Sequence, residues 1–168
     1  VQNANIELSF FVIGQIVILL SFLLFNFPNA KIFLGDSGSY LFGSLTALNT
    51  IMTNFLNSNY LSFFFCILLF YIFFEVFFSF IRKVFKKKSP VHPDNKHLHM
   101  LSFKKISIKF GRDNGNCINS VLINIVYIAL IVPALLFAKD PLISRYWFFL
   151  LIIIYLLIYF RLYRLTKN

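Results

Sequence analysis

Charged residues are scarce in this sequence, and acidic residues are the scarcest of them. Asp and Glu together number 6 among 168 residues, and all charged residues make up 13% of the chain, whereas hydrophobic residues make up 59%. Soluble domains carry about 25% charged residues. The composition therefore excludes an ordinary soluble domain and predicts an all-α integral membrane protein. Cysteine is also rare: Cys66 lies inside an apolar run and Cys117 at the start of another, which argues against a structural disulfide.

Histidine is absent before residue 92, and this absence decides how the tetrapeptide Gly35-Asp36-Ser37-Gly38 is interpreted. The tetrapeptide resembles the nucleophile segment of chymotrypsin-like serine proteases. Such an enzyme needs a His base and an Asp that orients it, on a soluble scaffold. Because no His precedes residue 92 and the tetrapeptide lies between apolar runs of membrane length, the protease interpretation is rejected.

Five apolar runs have close to the ~20 residues that a helix needs to cross a bilayer. They lie at about 8–27, 40–56, 60–81, 117–138 and 146–163. We predict a single membrane domain over residues 1–168, with these runs as its transmembrane helices. No cleavable signal is evident, because the first run lacks a basic leading segment. The sequence starts without Met, so we expect a fragment or a processed product.

The basic residues indicate the orientation of the chain. A net charge of +10 would suggest nucleic acid in a soluble protein, but here the Lys and Arg residues lie between apolar runs, which is typical of a topology signal. Placing residues 82–116, Arg161 and Arg164 in the cytoplasm satisfies the positive-inside rule. The N-terminus is then outside, the segment around Asp36 and the C-terminus are cytoplasmic, and residues 82–116 form a large basic cytoplasmic loop. We expect no nucleic-acid partner.

The cytoplasmic segment after the first run places a carboxylate between two glycines. Gly35 and Gly38 permit backbone angles and a close ligand approach that a Cβ would obstruct. Ser37 and the free N–H groups of the following helix can face an anion. Asp36 in this setting suits a divalent cation shared with phosphate. The alternative is a plain turn in which Asp36 is the N-cap of a membrane helix.

A second acidic residue, Glu75, lies in the third apolar run. Ionisable groups inside membranes are costly and are functional candidates for that reason. Arg82 lies seven residues further on, on nearly the same helix face, so a structural ion pair between Glu75 and Arg82 is the alternative. The preceding run is the most polar of the five, and we expect it to pack closely against neighbouring helices through Ser39 and Gly43.

All three histidines, His92, His97 and His99, lie close together in the predicted cytoplasmic loop. The lysines at 86–88 can hold anionic lipid headgroups, but this does not account for the histidines. Zinc binding is a further alternative, although no Cys or additional His lies near enough to complete a set of ligands. Imidazoles that hold pyrophosphate or sugar fit the surrounding positive charge better. Beyond them, the alternating residues 106–110 predict a short extended segment on the membrane surface.

The two cytoplasmic segments together resemble the polyprenyl-phosphate N-acetylhexosamine-1-phosphate transferases, the membrane enzymes of glycosyltransferase family 4. Residues 29–39, Asn-Ala-Lys-Ile-Phe-Leu-Gly-Asp-Ser-Gly-Ser, are similar to the family's Asn-Ala-x-x-Phe-x-Gly-Asp-x-Gly-Ser signature. Residues 89–99 are similar to its Ser-Pro…Pro-Asp-x-x-His-x-His segment. The triple-His signature of the MurNAc-pentapeptide translocase branch is absent, which favours the branch of the UDP-GlcNAc:undecaprenyl-phosphate GlcNAc-1-phosphate transferases.

The resemblance implies an enzyme of the bacterial inner membrane that transfers N-acetylhexosamine-1-phosphate from a UDP-sugar to a polyprenyl phosphate such as undecaprenyl phosphate. This step would start the synthesis of a cell-surface polysaccharide, in lipopolysaccharide, O-antigen or cell wall biogenesis. The resemblance implies that Asp36 is catalytic and holds the cofactor Mg²⁺. It also implies a set of polar and basic residues that bind the substrate: His97, His99, Lys96, His92, Asn29 and Ser37.

Three features of the family are missing from this chain, namely an earlier Asp-Asp pair, an Asn-x-x-Asp-Gly-like loop and roughly half of the transmembrane helices. The resemblance therefore covers only the C-terminal half of such an enzyme. We expect the chain to be inactive without the N-terminal half, whether that half belongs to the same chain or to a separate subunit. The alternative to an enzyme is a non-enzymatic membrane module, such as half of a transporter or a lipid-binding scaffold. In that interpretation Glu75 is the coupling carboxylate.

Overall fold

The computed structural model describes residues 2–28, 30–57, 59, 62–90, 92 and 94–167. Over these residues the chain forms helices and no strand. The helices are α1 (Gln2–Asn26), α2 (Gly35–Leu56), α3 (Ser62–Leu68), α4 (Phe70–Phe85), α5 (Leu98–Phe110), α6 (Arg112–Leu136) and α7 (Pro141–Lys167).

Among the described helices, α1, α6 and α7 are each long and apolar enough to cross a membrane. Helices α3 and α4 meet the same criterion only as a pair, and that pair bends by 78° at the break between them. The prediction of an all-α membrane protein is therefore confirmed, whereas the count of five spans is not. Helix α2 is missing from the set because its Ser, Thr and Asn residues interrupt the apolar sequence.

The chain divides into two compact units, Val1–Leu61 and Ser62–Asn168. The first unit holds α1 and α2, and the second holds α3 to α7. The single membrane domain proposed for residues 1–168 stays a prediction.

Polar side chains join the two helices of the first unit. The Asn49 side-chain amide donates a hydrogen bond to Gln15 Oε1 at 2.7 Å, and the Asn57 amide donates one to Asn5 Oδ1 at 2.9 Å. None of the α2 residues is buried. A Cβ built on Gly43 would meet nothing within 4 Å, so the close packing expected at Gly43 does not occur in the described part of the chain.

Aromatic side chains dominate the core of the second unit. Its buried cluster consists of Ile67, Phe70, Phe74, Leu101, Ala134, Leu151, Tyr155 and Tyr159. The ring of Tyr155 meets Phe74 edge to face at 5.0 Å between centroids, and Tyr159 meets Phe78 at 4.7 Å. Edge-to-face pairs of this kind add about 0.5–1.5 kcal/mol beyond the area that they bury. These contacts join α4 to α7.

The predicted cytoplasmic loop contains a helix. Residues 106–110, predicted to be extended, instead belong to α5, so that prediction is wrong. Leu101 and Ser102 are buried, and α5 packs against both α6 and α7, so tertiary contacts determine the conformation of this segment. Gly111 then breaks the helix with a φ of +77°, and α6 begins at Arg112.

Candidate functional site

The first candidate segment forms the start of α2. Gly35 has a φ of +70°, a left-handed conformation that glycine adopts without strain. Asp36 lies in the first turn and is exposed, and its carboxylate has no hydrogen-bond or ion-pair partner among the described residues. Leu34, rather than Asp36, occupies the N-cap position, so the capping interpretation of Asp36 is wrong. A negative charge in the first turn is still favourable, because it lies at the positive end of the helix dipole.

The surroundings of Asp36 are built from short-range contacts. Ser37 is exposed next to it, whereas Asn29 lies outside the described residues. The side-chain amide of Asn26 donates a hydrogen bond to the Ile32 carbonyl at 2.8 Å, which closes the connection between α1 and α2. A Cβ on residue 38 would come within 2.7 Å of Leu34 Cγ, so glycine at this position lets the Leu34 side chain lie against the first turn.

The Asp36 segment offers a metal ion one carboxylate. Among the described residues, no group of three His, Cys, Asp or Glu side chains lies close enough to hold a metal ion. Mg²⁺ commonly binds through one or two carboxylates together with water and substrate phosphates, rather than in an all-protein cage. One exposed carboxylate beside free helix N–H groups fits that mode of binding.

The second candidate region centres on Glu75, a residue of α4 that is 8% exposed. Its Oε1 atom lies 2.9 Å from His97 Nδ1 and accepts a hydrogen bond from the Leu98 backbone N–H at 3.0 Å. Its Oε2 atom accepts a hydrogen bond from the Tyr155 hydroxyl at 2.7 Å. Burying a carboxylate is costly unless donors compensate for lost water, and here three elements, α4, α5 and α7, supply the carboxylate and its donors.

Arg82 does not pair with Glu75, so the predicted ion pair between them is wrong. Arg82 Nη2 instead lies 3.0 Å from Asp94 Oδ2 and donates a hydrogen bond to Ser79 Oγ at 3.1 Å. Partial burial opposes ionisation of Asp94, but the Lys96 backbone N–H and the Arg82 guanidinium together lower the pKa of the Asp94 carboxyl. Asp94 is therefore a structural anion that fixes the end of α4 to the chain that precedes α5.

Lys83 also serves the local structure. It is buried, and its ammonium donates hydrogen bonds to the Pro90 carbonyl at 3.0 Å and the His92 carbonyl at 2.7 Å. These bonds hold the chain that returns from the end of α4.

A basic cavity of about 500 Å³ opens beside this return. It is lined by Arg82, Lys83, Lys86, Lys88, Ser89, His92, Asp94, Asn95 and Lys96. Two of the predicted substrate-binding residues, His92 and Lys96, therefore share one cavity. The lining includes five Lys and Arg side chains but one carboxylate, so the cavity favours an anion.

His97 and His99 lie at the start of α5, away from the described lining of the basic cavity. Their rings stack at 5.7 Å between centroids. Partial desolvation lowers the pKa of the His99 imidazole against the opposing charge of Glu75, and His97 lowers it further. The lowered pKa favours the neutral form of the His99 imidazole.

Two buried residues anchor the backbone at His99. Asn119 Nδ2 and Ser102 Oγ donate hydrogen bonds to the His99 carbonyl at 3.0 and 3.1 Å, and the Ser102 hydroxyl lies 2.5 Å from Asn119 Oδ1. The sequence analysis missed Tyr155, Ser102 and Asn119. Tyr155 and Asn119 have partners that are distant in the chain, and no local spacing signals them. Ser102 lies three residues from His99, but its contact with Asn119 spans 17 residues.

Comparison with known proteins links the chain to one enzyme family. Residues 1–54, which contain the Asp36 segment, match the sequence model of Glycosyl transferase family 4. Over 88 residues the chain is 38% identical to the undecaprenyl-phosphate alpha-N-acetylglucosaminyl 1-phosphate transferase of Thermotoga maritima. That match covers 52% of the chain and 29% of the relative, so the chain matches less than a third of the relative's length. No solved structure matches the chain significantly. The resemblance identified from the sequence is confirmed.

Proposed function

We propose, from the match of residues 1–54 to Glycosyl transferase family 4, that this chain is part of an enzyme that transfers a sugar-1-phosphate from a UDP-sugar to a polyprenyl phosphate. The sugar phosphate is N-acetylhexosamine-1-phosphate, the acceptor is undecaprenyl phosphate, and the products are a polyprenyl-diphospho-sugar and UMP. The observation that carries the proposal is the 38% identity to a transferase whose name states this acceptor and an N-acetylglucosaminyl 1-phosphate.

Asp36 is the metal-binding residue of the proposal. Its support is an exposed carboxylate that has no partner among the described residues, at a helix N-terminus where N–H groups favour phosphate. Mg²⁺, when bound, neutralises the pyrophosphate and stabilises the charge that develops on the leaving phosphate. Ser37 and Asn29 lie beside Asp36 in the sequence and are proposed to contact the same phosphates.

The UDP-sugar is proposed to be held by basic and imidazole groups of the second unit. His97 and His99 are proposed to hold the diphosphate by hydrogen bonds and electrostatic positioning rather than by proton transfer. Lys96 and His92, in the basic cavity, add positive potential. An apolar cavity of about 300 Å³ between α4, α5, α6 and α7 offers apolar surface suited to part of a polyprenyl chain.

The proposal also covers the setting of the enzyme. It places the chain in the bacterial inner membrane with the N-terminus outside and the C-terminus cytoplasmic, α2 as a fifth span, and residues 82–116 on the cytoplasmic side. The enzyme acts at the start of cell-surface polysaccharide synthesis, such as that of the O-antigen. An N-terminal half supplies the remaining carboxylates, so residues 1–168 alone are expected to be inactive.

The decisive test is Asp36→Asn in the longer protein, or in the chain combined with its N-terminal half. Asp113→Asn is the matched control, because Asp113 is also an exposed acid in the first turn of a helix. Both changes remove one helix-dipole interaction of about 0.3–1 kcal/mol, so stability should respond equally. We expect Asp36→Asn alone to abolish most transfer from UDP-GlcNAc to undecaprenyl phosphate. Activity within a few-fold of the parent would contradict the metal role.

The histidines are tested separately. We expect His97→Ala and His99→Ala to raise the KM for the UDP-sugar far more than the KM for polyprenyl phosphate, because the donor is the water-soluble substrate. Stoichiometric zinc in the purified protein, with loss of the fold on chelation, would contradict the donor role. Robust turnover by residues 1–168 alone would contradict the need for a further half.

A further inference from the structure

Glu75 is a buried carboxylate to which the proposed mechanism gives no task. Its environment is more specific than charge compensation requires, because a single oxygen, Oε1, meets both the His97 ring and the backbone N–H of the next residue, Leu98. That geometry fixes the ring and the adjacent backbone together. The other oxygen is held by Tyr155, which is 4% exposed and belongs to α7.

Among the described residues, the basic side chain that Glu75 contacts is the imidazole of His97. Arg82, the cation closest in sequence, pairs with Asp94. Among the described residues, the hydrogen-bond and ion-pair partners of Glu75 are the Leu98 N–H, the Tyr155 hydroxyl and His97. The Leu98 N–H and the Tyr155 hydroxyl each donate one hydrogen bond to this carboxylate. His97 differs because its ring has a second nitrogen, Nε2, that can contact another group.

The free nitrogen of His97 is available to a ligand. Its side chain is 27% exposed, and the described residues provide no hydrogen-bond partner for Nε2. A carboxylate at Nδ1 selects the tautomer that carries the proton on Nδ1, because an ionised carboxylate only accepts hydrogen bonds. Nε2 is then the atom that meets a ligand, as an acceptor when the ring is neutral and as a donor when it is protonated.

We propose that Glu75 is a positioning residue for the donor-binding step: it holds the Nδ1–H of His97 and orients the ring so that Nε2, as the N–H donor of the protonated ring, faces the diphosphate of the nucleotide sugar, and Tyr155 holds Glu75 in place. The role in donor binding rests on the proposed function, whereas the tautomer does not. Carboxylate partners of functional histidines typically change affinity or activity by about 10–100-fold when removed.

The first measurement does not depend on activity. The protein is labelled with ¹⁵N-histidine, and the ring nitrogens are observed by NMR in detergent micelles above the pH at which imidazole titrates, with His97→Ala used for assignment. We expect His97 to carry its proton on Nδ1, and Glu75→Gln to lower that fraction. Glu7→Gln, a change at an exposed acid of α1, should have no effect. A predominant Nε2–H tautomer of His97 in the parent protein would overturn the inference.

The second measurement is a double-mutant cycle on the longer, active protein. We expect Glu75→Gln to raise the KM for UDP-GlcNAc by about 10–100-fold with a smaller change in kcat. The same substitution should have less than about a twofold further effect when His97 is already Ala, because its target is gone. A purely structural role predicts effects that multiply, and that result would overturn the inference.

Tyr155→Phe gives a graded variant within the same cycle. It removes the hydroxyl that holds Glu75 Oε2 and should raise the KM for UDP-GlcNAc several-fold, whereas Tyr146→Phe, at a residue that is 71% exposed, should not. If the parent protein has no transferase activity, the proposed function is contradicted. The NMR measurement then still decides whether Glu75 fixes the tautomer of His97. An active parent in which Glu75→Gln has no effect would contradict this inference alone.

Discussion

Breaking the ion pair between Arg82 and Asp94 should destabilise the second unit measurably. The pair joins α4 to the segment that leads to His97, its N–O distance is 3.0 Å, and the two side chains are 8% and 18% exposed. Arg82→Gln removes the charge but keeps much of the side-chain volume and the ability to bond to Ser79 Oγ. Arg161→Gln, on the exposed surface of α7, is the control.

The loss of stability expected for Arg82→Gln depends on the contacts that Asp94 keeps. Removing one partner of a fully buried ion pair costs about 3–5 kcal/mol. Asp94 retains some exposure to water and the hydrogen bond from the Lys96 backbone N–H, so we expect a smaller loss of about 2 kcal/mol. For a chain of this size that loss lowers the unfolding temperature by about 4–8 °C. Arg161→Gln, the control, should change the free energy of unfolding by less than about 0.5 kcal/mol.

The pH dependence of stability gives an independent measurement. Partial burial raises the pKa of the Asp94 carboxyl, but the Lys96 backbone N–H and the Arg82 guanidinium lower it by more. The pKa of Asp94 in the folded protein therefore lies below its usual value of about 3.9. Because folding depresses this pKa, the contribution of Asp94 to stability is fully present above about pH 4. It is lost as the pH falls through the folded-state pKa. Asp94→Asn should therefore flatten the decline in stability below about pH 4.

The assay is thermal unfolding of the purified protein in detergent micelles, for the parent, Arg82→Gln, Asp94→Asn and the double variant. We expect the double variant to lose less than the two single variants together, with a coupling energy of about 1–3 kcal/mol. Additive losses, or an unfolding temperature of Arg82→Gln equal to that of Arg161→Gln, would refute the reasoning that this pair carries stability.

Two further substitutions test how α5 is held, both by the same unfolding assay. Asn119→Ala should lower the free energy of unfolding by about 1–3 kcal/mol, because the buried Ser102 hydroxyl and the His99 carbonyl each lose one partner. Asn124→Ala loses only an exposed hydrogen bond to the Ser120 carbonyl and should lower it much less. Equal losses would contradict the role of Asn119. Gly115→Ala should cost about 1–3 kcal/mol, because a Cβ there lies 2.9 Å from the Ser107 Cα. Gly14→Ala meets nothing within 4 Å, and a stability of Gly115→Ala as high as that of Gly14→Ala would contradict close packing of α5 on α6.

The sequence predicted the apolar helices well because length and hydropathy are local properties. Helices α1, α6 and α7 overlap the first, fourth and fifth predicted runs. The extended segment at 106–110 was wrong because an alternating pattern of five residues cannot outweigh burial of Leu101 and Ser102 against distant helices. Tertiary contacts override local patterns most readily in such short segments.

The charge pairing was predicted wrongly for a related reason. Glu75 and Arg82 share a helix face, and spacing along one helix was the available guide. The structure brings Asp94 to Arg82 and Tyr155 to Glu75, across 12 and 80 residues of sequence. Partners at such separations depend on how the chain folds back, which residue spacing does not encode. The histidines, in contrast, were identified as candidates directly from their clustering in the sequence.

The anchoring of the histidine segment, residues 94–99, distinguishes the two interpretations of the basic loop. A loop that only attracts anionic headgroups needs charge but no fixed geometry. Here Arg82 holds Asp94, Glu75 holds His97 and the Leu98 amide, and Asn119 holds the His99 carbonyl. Two helices, α4 and α6, thus fix a segment of six residues at three points. Electrostatic catalysis depends on groups that are positioned before the ligand arrives, so this anchoring favours a discrete phosphate ligand at His97 and His99 over diffuse lipid binding.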